Sequence, residues 1–251
     1  MKITHFNNID STNSYLQYLL DKGEDVADNV VVTDFQTSGK GQGKNVWQSE
    51  DGKNLLFSIA LDMSFLKAED QFLLTQMVSV AMINVLKNYL PEENLFIKWP
   101  NDIYFNNKKI AGILIKNEIK GIMLGTSIIG IGLNVNQTDF DESLPNPISM
   151  KMITGKDYDL EMLLNEICNK LSQQTKVNRQ QTSSNSINST FNFQHLYTDK
   201  LYRYNQWAFY EHESDVKEMM ITGYDRFGRL ILKEKNDREV VCDLKEILFK
   251  I

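Results

Sequence analysis

The chain has 251 residues, 42% of them hydrophobic and 24% charged, which is room for one large domain, or one large and one small, with a real core. No uninterrupted apolar stretch is long enough to cross a bilayer and Met1 to Asn8 lacks the apolar heart of a secretory signal, so the expected location is the cytoplasm. A formal net charge of -6 argues against general affinity for nucleic acid, and Cys168 and Cys242, far apart with no histidine at ligand spacing, suggest neither a zinc site nor a disulfide framework.

Asp10-Ser11-Thr12-Asn13 is rich in N-cap residues and precedes Tyr15, Leu16, Leu19 and Leu20, whose spacing predicts a helix that Gly23 stops. The β-branched run Val30 to Phe35 predicts a buried strand that delivers the chain to the glycine-spaced basic loop Gly39 to Lys44, and Leu55 to Leu61 reads as the strand after it. Apolar positions at helical spacing predict a helix from about Glu69 to Leu90, ended by Pro91. Leu95 to Ile97 is a strand leading into Trp99-Pro100, and Ile103 to Phe105 pairs with Ile110 to Ile115 through an Asn106-Asn107 turn. Gly121 to Val135 is a further β stretch, and a helix is expected around Asp159 to Leu171. Residues 172–194 turn rich in Ser, Asn, Gln and Thr and predict a mobile or variable surface insertion. Short strands around Val216 to Gly223, Arg229 to Lys233 and Glu239 to Cys242, with a turn at Asp225 to Gly228, predict a small all-β module at the end. The expected fold class is α+β, a mixed sheet covered by helices, with a division into residues 1–208 and 209–251.

Two blocks carry the chemistry. Gly39-Lys40-Gly41-Gln42-Gly43-Lys44 fits neither the P-loop nor the dinucleotide fingerprint, but its glycines permit close backbone approach to an anion and its lysines supply charge; a solvated turn explains the same residues. Lys98-Trp99-Pro100-Asn101-Asp102, followed by Lys109-Ile110-Ala111-Gly112, sets a lysine, an amide and a carboxylate around a hairpin. A fixed ammonium at Lys109 offsets the repulsion between a carboxylate and a phosphate, so the two blocks together suggest nucleotide-dependent activation of a carboxylate. Asp102 reads as a magnesium ligand or as a turn residue, and Trp47 as a base-stacking indole or a core tryptophan. Gln36 reads as a hydrogen-bonding partner for an amide-like group or as a surface residue, and Asn134 as a contact for adenine or ribose or as a turn residue.

These residues resemble the biotin protein ligases. Asp10-Ser11-Thr12-Asn13, Phe35-Gln36-Thr37-Ser38-Gly39-Lys40-Gly41-Gln42, Lys98 to Asp102 and Lys109-Ile110-Ala111-Gly112-Ile113-Leu114 stand in that family's order and approximate spacing, across nearly the whole chain. The resemblance implies a class II synthetase-like catalytic domain with a C-terminal SH3-like barrel. It also implies two half-reactions, in which biotin and MgATP give biotinyl-5'-AMP, which then acylates one lysine of a biotin carboxyl carrier protein domain of a biotin-dependent carboxylase. By motif position, Ser11, Thr12, Asn13 and Gln36 take the biotin ureido group and walls, and Lys40, Gly41 and Gln42 close over the intermediate. Lys109 bridges carboxylate and phosphate, with Lys40 as the second catalytic residue. Trp47, Asn101 and Asn134 lie around the nucleotide, and Asp102 holds Mg2+. Biotin and ATP are substrates, and no tightly bound prosthetic group is implied. One departure stands out: the family's loops usually read Gly-Arg-Gly with another arginine close behind, whereas here Lys40 and Lys44 replace guanidinium groups, and lysine lacks arginine's bidentate fork.

The catalytic block begins almost at Met1, so no DNA-binding domain, nucleic-acid partner or membrane partner is expected; a monomer or a homodimer is. Lipoate ligation is the rival chemistry and a catalytically silent scaffold the rival class.

Overall fold

The computed structural model describes residues 1–43, 45–183 and 190–250. Seven strands, Lys2–Ile9 (β1), Asn29–Gln36 (β2), Leu55–Asp62 (β3), Leu95–Lys98 (β4), Asp102–Phe105 (β5), Lys108–Lys120 (β6) and Met123–Leu133 (β7), form one sheet in the order β1-β2-β3-β7-β6-β5-β4. Only β1 and β2 run parallel; the other pairs are antiparallel. Central β3 buries every residue from Leu55 to Leu61 because helices cover both of its faces, and a strand covered on both sides needs a continuous apolar run rather than alternation.

Among the described residues the α-helices are Thr12–Asp21 (α1), Phe72–Leu86 (α2), Met150–Thr154 (α3), Leu160–Ser183 (α4) and Thr190–Asp199 (α5). α1 lies on one face, where Leu16 packs with Val26, Val31, Ala60 and Ile128. The other face carries the main core, in which α2 is sandwiched between the sheet and α4 and buries twelve of its fifteen residues. The mixed sheet with helices expected from the sequence is the fold observed.

Several boundaries differ from expectation. The sequence reading assigns nothing to residues 2–9, yet they form β1, an edge strand whose polar side chains face water and so carry little apolar signal. The helix expected over 69–90 is a short 3-10 turn at Ala68–Asp70 followed by α2 to Leu86; the turns after it still carry Leu90 into the core before Pro91. Residues 172–194 divide in another way. α4 continues to Ser183 and α5 resumes at Thr190, with Gln174 and Thr175 buried and the Thr175 hydroxyl donating to the Leu171 carbonyl at 2.9 Å. Glutamine, asparagine and arginine are tolerable helix formers once one side of the helix packs on α2. The remainder of that insertion, residues 184–189, lies outside the described residues.

A second, antiparallel sheet holds Trp207–His212 (β8), Asp215–Tyr224 (β9), Leu230–Glu234 (β10), Glu239–Cys242 (β11) and Ile247–Phe249 (β12), in the order β11-β10-β9-β8-β12. Because β8 opens at Trp207, a division at 208/209 falls inside a strand. Tyr210, Met219, Ile221, Leu230 and Leu232 join the main core, so the small sheet does not hang free. Arg226 binds Glu69 at 2.7 Å and Asp70 at 2.8 Å across the junction, and Phe72, Tyr197 and Tyr224 pack edge to face within 5.6 Å of one another. At the same junction Trp99 Nε1 donates to the Gly228 carbonyl at 2.7 Å.

Gly228 has φ +85°, and a Cβ there would stand 2.4 Å from Phe72 Cδ2. Gly228→Ala is therefore expected to lower stability by about 2 kcal/mol or more, from left-handed strain together with overpacking. Urea denaturation measures it, and a loss below about 0.5 kcal/mol, the size of an ordinary surface substitution, would show that the junction yields without strain.

Candidate active site

The site begins with what the sheet lacks. β6 and β7 set Gly112 opposite Gly132 and Leu114 opposite Gly130, while Ser58 on β3 faces Gly130 from the other side. Without side chains at three of these positions a trench opens above the sheet on the side of α1. The indole of Trp47 lies in it, close enough that a Cβ on Gly132 would be 2.5 Å from the ring and one on Gly112 3.0 Å from it. A cavity of about 820 Å³ extends along this trench.

One end of the cavity is polar and buried. Ser11 caps α1, accepting from the Ser14 amide at 3.4 Å, and so turns the start of the helix toward the cavity. The Thr12 amide donates to Gln36 Oε1 at 2.9 Å, and the Thr12 hydroxyl lies 2.8 Å from that of Ser58. Asn13 donates through Nδ2 to the Leu114 carbonyl at 3.3 Å, but its Oδ1, buried beside the cavity, has no partner among the described residues. An orphan acceptor at this depth is costly unless something completes it, and a ligand N–H does so.

Above this end β2 runs out into a flap. Lys40 bridges Val46, the Gly41 amide donates to the Asn45 carbonyl at 2.8 Å, and the Trp47 amide donates to Gly39 at 3.0 Å. Gly39 is obligatory for this closure, since a Cβ would sit 2.3 Å from the Trp47 carbonyl oxygen. Lys40 Nζ donates to Ser14 Oγ at 2.8 Å and ties the flap to α1. Lys44, which the sequence also places here, lies outside the described residues.

The other end is ionic. Lys109 Nζ binds Asp102 at 2.7 Å, with both side chains more than two-thirds buried, and stands 5.6 Å from the Trp47 ring centroid. The Lys109 backbone is held on both sides, its amide donating to the Asn146 carbonyl at 2.8 Å and its carbonyl accepting from Ile148 at 3.0 Å. Lys98 reaches the same region between Tyr104 and Phe249, with its ammonium 5.4 and 4.8 Å from their ring centroids. Burial pushes the Lys98 ammonium down from the ordinary lysine range; Asp102 opposes this, while Lys109 and Arg203 add to it. Among the described lining residues Lys40, Lys98, Lys109, Lys245 and Lys250 face the single carboxylate of Asp102, a local excess of positive charge in a chain of net charge -6.

Most of the residues proposed from sequence converge here: Ser11, Thr12, Asn13, Gln36, Lys40, Gly41, Gln42, Trp47, Asn101, Asp102 and Lys109 all line the cavity. Asn101 does so with its amide nitrogen committed to the Ile113 carbonyl, stapling the β4–β5 turn to β6. Asn134 does not reach the cavity. It is buried and donates to the carbonyls of Ile148 at 3.1 Å and Lys109 at 3.4 Å, so its amide braces the lysine segment where a nucleotide contact was expected. Sequence reasoning misses Ser58, although a lone serine in an apolar strand is a legible exception. It also misses the wall built by Leu244 to Lys250, which carries no local signal because its role arises only when the second sheet docks.

Gly132→Ala should expel the Trp47 indole. The expected result is a shift of tryptophan emission to longer wavelength, absent when the same substitution is made in a Trp47→Phe background. An unchanged spectrum would mean that the indole does not rest on Gly132.

Three comparisons bear on this geometry. The family model described as biotin/lipoate A/B protein ligase family matches residues 5–134. The bifunctional ligase/repressor BirA of Bacillus subtilis is 35% identical over 135 residues, which is 52% of this chain and 40% of that protein. Biotin–protein ligase of Homo sapiens is 38% identical over 117 residues, 44% of this chain and 16% of that protein. The aligned region thus spans less than half the length of these curated relatives. The solved structure of biotin protein ligase from Aquifex aeolicus in complex with biotin and ATP superposes with a TM-score of 0.75 over 99% of this chain and 98% of that one, at 24% identity, a likeness of fold.

Proposed function

Because the chain belongs to the biotin/lipoate A/B protein ligase family, we propose that it activates biotin with ATP and transfers the biotinyl group to one lysine of a biotin carboxyl carrier domain. The supporting observation is a single cavity with a buried polar end, a glycine-floored trench and the Lys109–Asp102 pair at its far end. A urea-like head group has both donors and an acceptor to offer, and the orphan Oδ1 of Asn13, with Gln36 and Ser58 close by, suits it. The apolar ring and chain then lie along the trench beside Trp47, and the carboxylate extends toward Lys109. The curated relatives, at 32–38% identity, are named as biotin–protein ligases or ligase/repressors, which supports biotin over lipoate.

In the first half-reaction a biotin carboxylate oxygen attacks the α-phosphorus of ATP, and the bond from that phosphorus to the β-phosphate bridging oxygen breaks. Pyrophosphate leaves with the electron pair. Two unit negative charges about 4 Å apart repel by about 4 kcal/mol at an effective dielectric near 20, so the approach of these anions is the obstacle that a fixed cation removes. Lys109 is held for that task by backbone bonds on both sides, and its ammonium can turn from Asp102 to the two arriving anions. The mixed anhydride is itself the activated species, so no covalent enzyme intermediate is required. In the second half-reaction the carrier lysine amine attacks the acyl carbon, loses its proton, and AMP departs. The flap from Gly39 to Trp47 limits access of water to the anhydride in the interval.

Among the described residues no group of three His, Cys, Asp or Glu side chains forms a protein cage for a metal. Magnesium binds through one or two carboxylates while substrate phosphates supply further oxygens, and Asp102, the one carboxylate among the described lining residues, is the residue that would hold it. When bound, the ion neutralises part of the phosphate charge.

Biotin-dependent ATP–pyrophosphate exchange tests the first half-reaction, with lipoate as the control acid, and transfer to a carrier domain tests the second. Lys109→Ala is expected to lower exchange by about two to three orders of magnitude, while biotin affinity measured by calorimetry changes far less. Exchange near the wild-type rate would remove Lys109 from the bridging role.

A further inference from the structure

Two buried amide side chains stand off the cavity and join its two sides. Gln137 and Asn54 are 6% and 1% exposed, and neither is among the described residues that line the cavity. Gln137 Oε1 accepts from the Glu50 amide at 3.0 Å and from Asn54 Nδ2 at 2.5 Å, so both of its lone pairs are used, while its Nε2 donates to the Asp139 carbonyl at 2.6 Å. Asn54 Oδ1 in turn accepts from the Val135 amide at 2.9 Å, and the Asn136 amide donates to the Lys53 carbonyl at 2.8 Å. Residues 50–54, which carry the chain from the flap into β3, are thereby fastened to residues 134–139, which lead away from β7.

Each segment leads to a side chain on which the site depends. Trp47 stands three residues before Glu50, and its indole lies in the trench. The indole Nε1, buried and without a partner among the described residues, offers a donor to a molecule in the cavity. Asn134 stands three residues before Gln137 and donates to the carbonyls of Lys109 and Ile148. Trp47 and Lys109 meet at Gly112, where a Cβ would be 3.0 Å from the ring and 3.2 Å from the ammonium. The flap carries the indole and β6 carries the ammonium, so their separation is set where the two segments are joined, and the side chain that joins them is Gln137. A fully bonded buried amide has few alternative placements, because each lost partner leaves a desolvated donor or acceptor unpaired.

We propose that Gln137 is a positioning residue for the first half-reaction: it fastens the arm that carries Trp47 to the segment that braces Lys109, and so holds the indole against the ammonium around the reacting groups. This rests on the proposed ATP-dependent activation of biotin and gives a part in it to a side chain outside the cavity. Lys109 keeps its own backbone bonds on both sides, so the effect of Gln137 is carried by Trp47.

Gln137→Met keeps the length of the side chain and removes the acceptor, leaving the Glu50 amide and Asn54 Nδ2 unpaired. In this variant kcat for biotin-dependent ATP–pyrophosphate exchange is expected to fall about tenfold from misplacement of the indole. In a Trp47→Phe background the same substitution is expected to change kcat by less than about twofold, since the released arm no longer carries the indole. An equal loss in both backgrounds would overturn the proposal by assigning Gln137 a general structural role, and an unchanged kcat in the single variant would overturn it as well. Trp47 emission, taken as the difference between each protein and its Trp47→Phe counterpart, should move to longer wavelength in Gln137→Met; an unmoved difference spectrum also counts against the proposal, and this readout needs no activity. If circular dichroism shows that Gln137→Met does not fold, Glu50→Pro carries the same comparisons, because it removes only the donating amide of an exposed residue and leaves the Asn54–Gln137 pair whole. A wild-type protein without biotin-dependent exchange overturns the functional reading itself, a result that appears before any variant is compared.

Discussion

The turn between β4 and β5 is gripped from three directions, and the arrangement of the rest follows from that grip. The Trp99 indole donates to the Gly228 carbonyl of the second sheet, the Pro100 carbonyl accepts from the Tyr197 hydroxyl at 2.8 Å, and Asn101 is doubly bonded to Ile113 of β6. The three residues Trp99 to Asn101 thus tie a helix, the small sheet and the main sheet together. Lys98 and Asp102, on either side of the clamped residues, inherit their positions from it. Buried hydrogen bonds of this kind have modest net worth but are expensive to leave half made, so the turn has few alternative placements.

That constraint explains how an acidic protein keeps a basic cavity. Lysines drawn from the flap, from β4 and β6 and from either side of β12 converge on one volume, with a single carboxylate among the described lining residues. Like charges so gathered would repel in the absence of a partner. The protein limits this by burial of Lys98 against aromatic faces, by the Lys109–Asp102 pair and by the Lys250–Glu211 pair. On the proposed function an anionic substrate takes the place of these partners, so part of the cost of assembling the cations is met before it arrives.

The floor of the cavity works by omission. Gly112, Gly130 and Gly132 lie in the two strands at the middle of the sheet, where glycine ordinarily weakens pairing, and their value is the room they leave above the backbone for Trp47 and for the side chains of Asn13 and Ser58. The flap needs glycine for a different reason, since Gly39 lies against the backbone of Trp47.

Much of this was legible in the chain. The helical spacing of Tyr15, Leu16, Leu19 and Leu20, the apolar run of β3 and the Asn106-Asn107 turn each state their own conformation, because hydrophobic period and turn chemistry are local properties. The motif residues from Ser11 to Lys109 likewise announce carboxylate and phosphate chemistry through their types and order. The edge strand β1, the buried polar residues of α4, the bracing role of Asn134 and the wall from Leu244 to Lys250 did not show in this way. A strand that pairs on one side only, a glutamine that becomes buried, and a lysine carried across by the docking of a second sheet acquire their meaning from partners distant in sequence. The sequence by itself determined the strongly periodic elements and the kind of chemistry it suggests; the tertiary structure alone decided which charges meet, because packing between distant segments sets the distances on which electrostatics depends.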